Sequence, residues 1–394
     1  MSRLTTVAWP RASALAVRQP MPLGVAAIVL ACYIAVVASH LASGGDVRDY
    51  IFLGTRYIEQ SHASPAIRID PHYHYLTNRH GYDGQFYYYI AADPVRARYY
   101  VDWNSYGRQA AAYRYGRILY PLLARTLTLG QSSWVPSTLL VVNLLGVALG
   151  TLAVAAWILR FGLPTWLALV YSFYPGVALG VLRDLADPLA FSFVAAAVFL
   201  LSFGGRYRLV WSVALFALAG LTRETTLLVP LLYALWRLVH RDWRSSTILG
   251  LGSAAPFLLW KLWLLVWLGS FALPHKVAPV LPFSGIAEEW HWRAADEIQM
   301  LGVVLPSLLI AAVALAAWLR KSRSPEILVL IANVIVFVIV LNPTSYVDIY
   351  GSARMAIGVP LFALFSLPTL LTRVRRPVWI VFAVCVALWA ATLL

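Results

Sequence analysis

The sequence predicts an all-α integral membrane protein, and three observations carry that prediction. Hydrophobic residues make up 61% of the 394 positions and charged residues 12%. Mean hydropathy is +0.72, and the charges fall mostly between long apolar runs. A soluble chain of this length does not carry so large an apolar fraction. The formal charge of +14 would point to nucleic acid in a soluble protein, but here the basic residues flank apolar runs and orient them. Nucleic acid is therefore discounted as a partner. Cys32 and Cys385 both lie inside apolar runs, which leaves no disulfide framework and no thiolate zinc site.

The first apolar run, residues 23–41, follows Arg3, Arg11 and Arg18. It is longer than a signal-peptide core and reads as a retained signal anchor with a cytoplasmic N-terminus. Further runs at 135–159, 165–182, 185–203, 209–222, 225–238, 247–270, 299–319, 326–341, 355–371 and 378–394 bring the expected total to about eleven crossings in one polytopic domain, 1–394. Threaded this way, Arg160, Arg206, Arg208, Arg237, Arg241, Arg244, Arg320, Lys321, Arg323, Arg373, Arg375 and Arg376 are all cytoplasmic, as the positive-inside rule requires. All of the 17 acids except Asp242 and Glu326 then fall on the outer side. Acids contribute little to topology, so their gathering on one face points to chemistry there.

The richest stretch is 81–94, GYDGQFYYYIAADP, in the long outer loop 43–116 that holds 13 of the 21 tyrosines. It sets Asp83 beside a glycine and ahead of an aromatic run. A catalytic carboxylate is one reading. The other is a capping aspartate that starts a short amphipathic helix, 85–92, with its tyrosines in the membrane interface. Residues 117–129 are apolar but too short to span, and read as an interfacial or re-entrant helix. The runs 209–222 and 225–238 are also short, so their joint, Thr222-Arg223-Glu224, is expected below the outer surface, where charge must be paired or line a cavity. An Arg223–Glu224 pair is the plain structural reading of that joint. The outer hairpin Arg183-Asp184-Leu185-Ala186-Asp187-Pro188 is weighed in the same way. A second outer loop, 271–298, carries Lys276 among solvated charges, and a third, 342–354, ends on Arg354.

Moving a sugar from a polyprenyl phosphate to a hydroxyl needs one carboxylate to take the proton and cations to hold the departing phosphate. Asp83 fills the first role. Arg114, Arg117, Arg223, Lys276 and Arg354 are candidates for the second, arginine being favoured because its planar fork matches phosphate oxygens. Tyr82, Phe86 and Tyr87 can stack on sugar rings. Gln85, Arg183, Asp184, Asp187 and Glu224 complete the candidate substrate contacts. His72, His74 and His80, with Asp70 or Asp83, are a weak metal constellation. The reading requires no cofactor and leaves a divalent metal open. There is no Gly-x-Ser-x-Gly, no P-loop and no dinucleotide fingerprint, which favours a lipid-linked donor over a nucleotide sugar.

Asp83, Phe86 and Ile90-Ala91, followed by Arg117-Ile118-Leu119-Tyr120-Pro121, form a pattern that resembles GPI mannosyltransferase II-type enzymes. Leu221-Thr222-Arg223-Glu224-Thr225 and the Asp184-to-Pro188 hairpin are similar to features of bacterial GT-C glycosyltransferases. The resemblance is best over 81–124. It implies a GT-C bundle, an outward-facing site and a polyprenyl-phosphate-linked sugar donor, with mannose among the sugars, passed to a lipid or envelope-glycan acceptor. The chain departs from the pattern in having Tyr82 where tryptophan is usual and a longer stretch between the first span and Asp83. Many GT-C enzymes carry an acid directly after the first span, so Asp46 and Asp49 are rival bases.

The alternative reading is a transporter or flippase of lipid-linked sugars, which would show two related halves with matching broken spans; only the 209–238 pair is broken. A non-catalytic envelope scaffold is a third. Among the 31 basic residues only Lys261, Lys276 and Lys321 are lysines, a bias that fits a GC-rich bacterial source and hence the inner membrane.

Overall fold

The computed structural model describes residues 21–54, 81–99, 108–271 and 281–393. Among them every regular element is a helix. Asp70, His72, His74, His80 and Lys276 lie outside the described residues.

The long helices form where apolar sequence runs unbroken between residues that start or stop a helix. Helix α1 (Pro22–Ala42) opens on proline, whose missing N–H belongs to the unpaired first turn in any case. Helices α2 (Gly84–Ala92), α3 (Arg108–Tyr115) and α4 (Leu119–Leu127) belong to the first loop. Helices α5 (Val135–Arg160), α6 (Pro175–Val181), α7 (Asp187–Leu201), α8 (Arg206–Thr222), α9 (Leu228–Val239) and α10 (Trp243–Leu268) follow. Then come α11 (Leu305–Leu319), α12 (Pro325–Val334), α13 (Ile349–Met355), α14 (Gly358–Leu371) and α15 (Arg375–Ala391). The ends of α10 show the usual logic. Asp242 caps its start by accepting from the Ser245 amide, and Gly269, at φ 70°, turns the chain at its end.

Among the described residues, five continuous helical stretches are long and apolar enough to cross a membrane: Pro22–Ala42, Ser132–Arg160, Trp243–Leu268, Asp296–Leu319 and Ile349–Leu371. Asp187–Leu201 and Pro325–Ile339 are shorter apolar helices. The protein is an all-α membrane protein, the class that the composition predicts. Residues 165–182 differ from expectation, because they do not form one helix. A 3-10 turn, Thr165–Ala168, and one α-turn, Leu169–Ser172, stop at Phe173, and the chain restarts at Pro175, which cannot donate a backbone hydrogen bond to the preceding turn.

Small residues let the central helices approach. A Cβ at Gly146 of α5 would stand 3.2 Å from Leu189 Cα of α7, and one at Gly150 would stand 2.7 Å from Ser192 Oγ. Such close packing replaces the hydrophobic drive that lipid surroundings remove. Buried hydroxyls add polar links, as where Tyr33 Oη donates to the Ser172 carbonyl at 2.7 Å and Thr151 bonds Ser172 at 2.7 Å.

The loop helices make a second layer with its own core. Phe86, Tyr89 and Ile90 of α2 pack with Ala111 and Tyr115 of α3, Tyr120 of α4, Leu139 of α5 and Leu264 of α10. Helix α2 forms as the sequence predicts, but not as an interfacial helix. All of its residues are buried except the half-buried Tyr88, since a 3-10 turn (Val47–Ile51) and helices α3, α4 and α5 surround it. Arg125 of α4 closes its C-terminus by donating to the carbonyls of Ala91 and Ala92, each at 2.8 Å.

Gly84 is a tight point of this layer, for a Cβ there would meet the Ile51 carbonyl oxygen at 2.8 Å and the Arg183 carbonyl oxygen as well. Both obstacles are backbone and cannot rotate away. Gly84→Ala should destabilise the protein by about 1–3 kcal/mol, read as a lowered melting temperature in detergent. An unchanged melting temperature would show that α2 is not wedged there.

Candidate active site

Asp83 stands at the N-cap of α2 but does not cap it, as its carboxylate bonds no α2 amide. The side chain turns instead toward a cavity of about 680 Å³. Arg354, in the last turn of α13, donates to Asp83 Oδ2 at 2.8 Å, and Arg114 of α3 donates to Oδ1 at 3.3 Å. Arg117 lies 3.8 Å from Oδ2. Asp83 keeps 22% of its side-chain exposure while Arg117 keeps 2%, so water and solutes reach the carboxylate from the cavity side. Burial pushes the Asp83 carboxyl up, and Arg354, Arg114 and Arg117 more than offset this, holding it well below the usual carboxylate range.

Arg117 carries the network onward. It grips Glu224 with two bonds, Nε to Oε2 at 3.1 Å and Nη2 to Oε1 at 2.9 Å, the fork geometry that suits a carboxylate. It also donates to the hydroxyls of Tyr113 and Tyr87. The chain between α8 and α9 thus enters the site, but Arg223 and Glu224 do not pair with each other. Arg223 is extended, with φ −154° and ψ 115°, and its side chain leaves in another direction, to Asp187. Its Nε lies 3.3 Å from Asp187 Oδ1, at ion-pair distance but without hydrogen-bond alignment. Its Nη2 contacts Met355 Sδ at 3.1 Å.

Aromatic faces wall the cavity. The Arg114 guanidinium lies 3.0 Å from the Phe86 ring centre, that of Arg354 5.3 Å from the Tyr82 ring centre and that of Arg117 4.6 Å from the Tyr113 ring centre.

The other expected site residues divide. Gln85 borders the cavity, yet its Oε1 accepts from the Gly54 amide at 3.0 Å. Tyr87 stands behind Arg117, edge-on to Tyr120 at 5.3 Å. Arg183 donates to Tyr350 Oη at 3.1 Å and covers the Phe52 ring, and Asp184 is fully buried near Tyr120 Oη at 3.5 Å. Both belong to the hairpin that supports α2, not to the cavity lining. Asp46 and Asp49 are not brought to the cavity either. Asp46 accepts from the backbone and guanidinium of Arg48, while Asp49 accepts from the Asp46 amide and bonds His40 at 2.8 Å. The two acids form a capping box on the 3-10 turn.

Sequence reasoning missed Tyr113, Asp348, Tyr350 and Lys261. Asp348 borders the cavity and caps α13 by accepting from the Gly351 amide at 2.6 Å. Tyr350 packs against Tyr82 at 5.8 Å. Lys261 is buried on α10, its ammonium beside the backbone of Gly116 and 5.3 Å from the Phe271 ring centre. A lysine inside a long apolar helix was itself a signal. Among the described residues no three His, Cys, Asp or Glu converge as a metal site.

No protein-family model, curated protein or solved structure matches this chain.

Removing Arg223 would leave Asp187, 1% exposed, buried without its ion-pair partner. Arg223→Ala should cost about 3–5 kcal/mol, and adding Asp187→Asn should recover part of the loss; strict additivity of the two changes would contradict the pairing. Asp83 supplies a pH test. Its folded carboxyl titrates below the unfolded value of about 3.9, so its stabilisation is complete above about pH 4 and is lost as acid takes the pH down through the folded value. The melting-temperature gap between wild type and Asp83→Asn should hold steady between about pH 8 and about pH 5 and shrink below about pH 4. A gap that widens in acid would contradict the arginine pairing.

Proposed function

We propose that the protein is a GT-C-type membrane glycosyltransferase that moves a sugar from a polyprenyl-phosphate donor to a lipid or envelope-glycan hydroxyl, with Asp83 as general base. One observation carries the reading: the solvent-reachable carboxylate of Asp83 stands among three arginines at the edge of a 680 Å³ cavity with aromatic walls. The lining holds four arginines, 114, 117, 223 and 354, against the acids Asp83, Glu224 and Asp348. Arg223 is already matched by Asp187 behind the wall, so a phosphate is offered the guanidinium groups of Arg114 and Arg354, which it would share with Asp83. Further support comes from the sequence resemblance over 81–124 and from the order of charges along the chain. We read the eleven apolar segments, 165–182 among them as a broken helix, as crossings of a bacterial inner membrane, with a cytoplasmic N-terminus and the cavity opening to the periplasmic or extracellular face.

The acceptor oxygen attacks the anomeric carbon as its proton passes to Asp83. The bond from that carbon to the phosphate oxygen breaks, and its electron pair leaves with the phosphate, held by Arg354 and Arg114. Asp83, tied to these arginines, is a weak base in the free site. A bound phosphate competes for the same guanidinium groups, loosens their hold and raises the proton affinity of the carboxylate. Tyr82 offers a ring face to the sugar.

The test is transfer of radiolabelled sugar from a panel of polyprenyl-phosphate sugars in lipid extract, run beside equilibrium donor binding. Asp83→Asn should lower turnover by roughly 10²–10⁴ and leave donor binding equal or tighter, because Arg354 and Arg114 lose their resident carboxylate. An active Asp83→Asn protein would remove the residue from the chemistry. Absence of transfer from every donor, with movement of the lipid-linked sugar across liposomes, would make the protein a flippase.

A further inference from the structure

The helices that bring Arg223 and Glu224 to the candidate site also frame a second cavity at their far ends. Helix α8 spans about 25 Å from Arg206 to Thr222, so Arg206 is a membrane-scale distance from the Asp83 cavity. Around Arg206 the end of α7, the start of α8, the end of α9 and the start of α10 border an open cavity of about 490 Å³, lined by Arg206, Arg237 and Arg244, the first and last of them exposed. One of the three is neutralised, since Arg237 donates to Asp242 Oδ2 at 2.9 Å while Asp242 Oδ1 caps α10. Among the described residues, Arg206 and Arg244 have no carboxylate within ion-pair distance. The cavity thus keeps two uncompensated guanidinium groups, supplied by two different helices.

A merely solvated basic surface does not explain the rest of this arrangement. Val210 follows Arg206 by one helical turn on α8. Ile248 and Leu251 follow Arg244 by one and two turns on α10, so each arginine heads an apolar stripe on its own helix face. Val210 and Ile248 line the cavity, while Leu251 is 68% exposed beyond it. Tyr207, Trp211 and Trp243 are exposed around the same helix ends, the residue types that settle at the boundary between hydrocarbon and headgroups. At the mouth, Gly204 and Gly205 take φ of 66° and 87°, with open space where side chains would stand. A soluble anion would use the arginines but neither the stripes nor the aromatic fringe.

From this arrangement we infer a binding site for the phosphate headgroup of an anionic membrane phospholipid, its acyl chains lying along the Val210 and Ile248 faces. Guanidinium groups of Arg206 and Arg244 fork onto the phosphate oxygens. The site needs neither the transferase reading nor an assigned orientation in the membrane.

Delipidated full-length protein in detergent, titrated with fluorescent phosphatidylglycerol, tests this. The wild type should show one saturable site that prefers phosphatidylglycerol to phosphatidylcholine. The double variant Arg206→Ala with Arg244→Ala should bind at least about tenfold more weakly, while Arg320→Ala with Arg323→Ala, on a different turn, should bind as wild type. If the alanine variant unfolds, Arg206→Lys with Arg244→Lys keeps the charge, loses the fork and should still weaken binding. Equal weakening in the Arg320 and Arg323 control would reduce the effect to diffuse surface charge and overturn the site. So would indifference between the two lipids, or displacement of the probe by inorganic phosphate, which would make the ligand a soluble anion.

Discussion

The carboxylate of Asp83 shared among Arg354, Arg114 and Arg117 is the constraint on which the rest of this structure depends. Through Arg117 it extends to Glu224, and beside that joint Arg223 reaches Asp187. The network draws together the start of α2, the end of α3, the break between α8 and α9, the start of α7 and the end of α13. Each of these charges is expensive to bury alone and tolerable only because the next one is present. The loop layer is therefore held to the bundle by charge as well as by its own apolar core.

That arrangement also explains the uneven helices. Hydrocarbon surroundings accept charge only where it is paired or lines a water-filled space. The chain accordingly keeps the helix interiors apolar and places charge where helices end or break. Helix α8 shows this in one element, with Arg206 and Arg208 at its start, Arg223 and Glu224 just past its end, and an uncharged stretch between them. Lys261, inside α10, is the exception, and it turns inward to the loop layer at Gly116.

Much of the fold was legible because its signal is local. Long apolar runs between arginines form helices, five of them long enough to span among the described residues, and Pro22, Asp242 and Gly269 mark ends by backbone chemistry that does not depend on distant residues. The break at Phe173-Tyr174 was harder to see, for the run around it is as apolar as its neighbours and only Pro175 hints at the interruption. The stretch 81–94 was legible as important from its composition, yet the burial of α2 was not. Its tyrosines suit a membrane interface as well as they suit the core made by α3, α4 and α5.

By itself the sequence determined the helical membrane class, most helix positions and the inventory of acids and arginines from which a site could be made. Tertiary structure alone decided who meets whom. Asp46, Asp49 and Asp83 are chemically alike in the sequence; packing ties the first two to Arg48 and His40 and gives the third the cavity. Arg223 and Glu224 are neighbours that one extended residue sends to separate partners. Asp83 finds Arg114 across 31 positions and Arg354 across 271. Ion pairing falls off over a few ångströms of space and is indifferent to distance along the chain, so the partners were fixed only when the helices that carry them packed together.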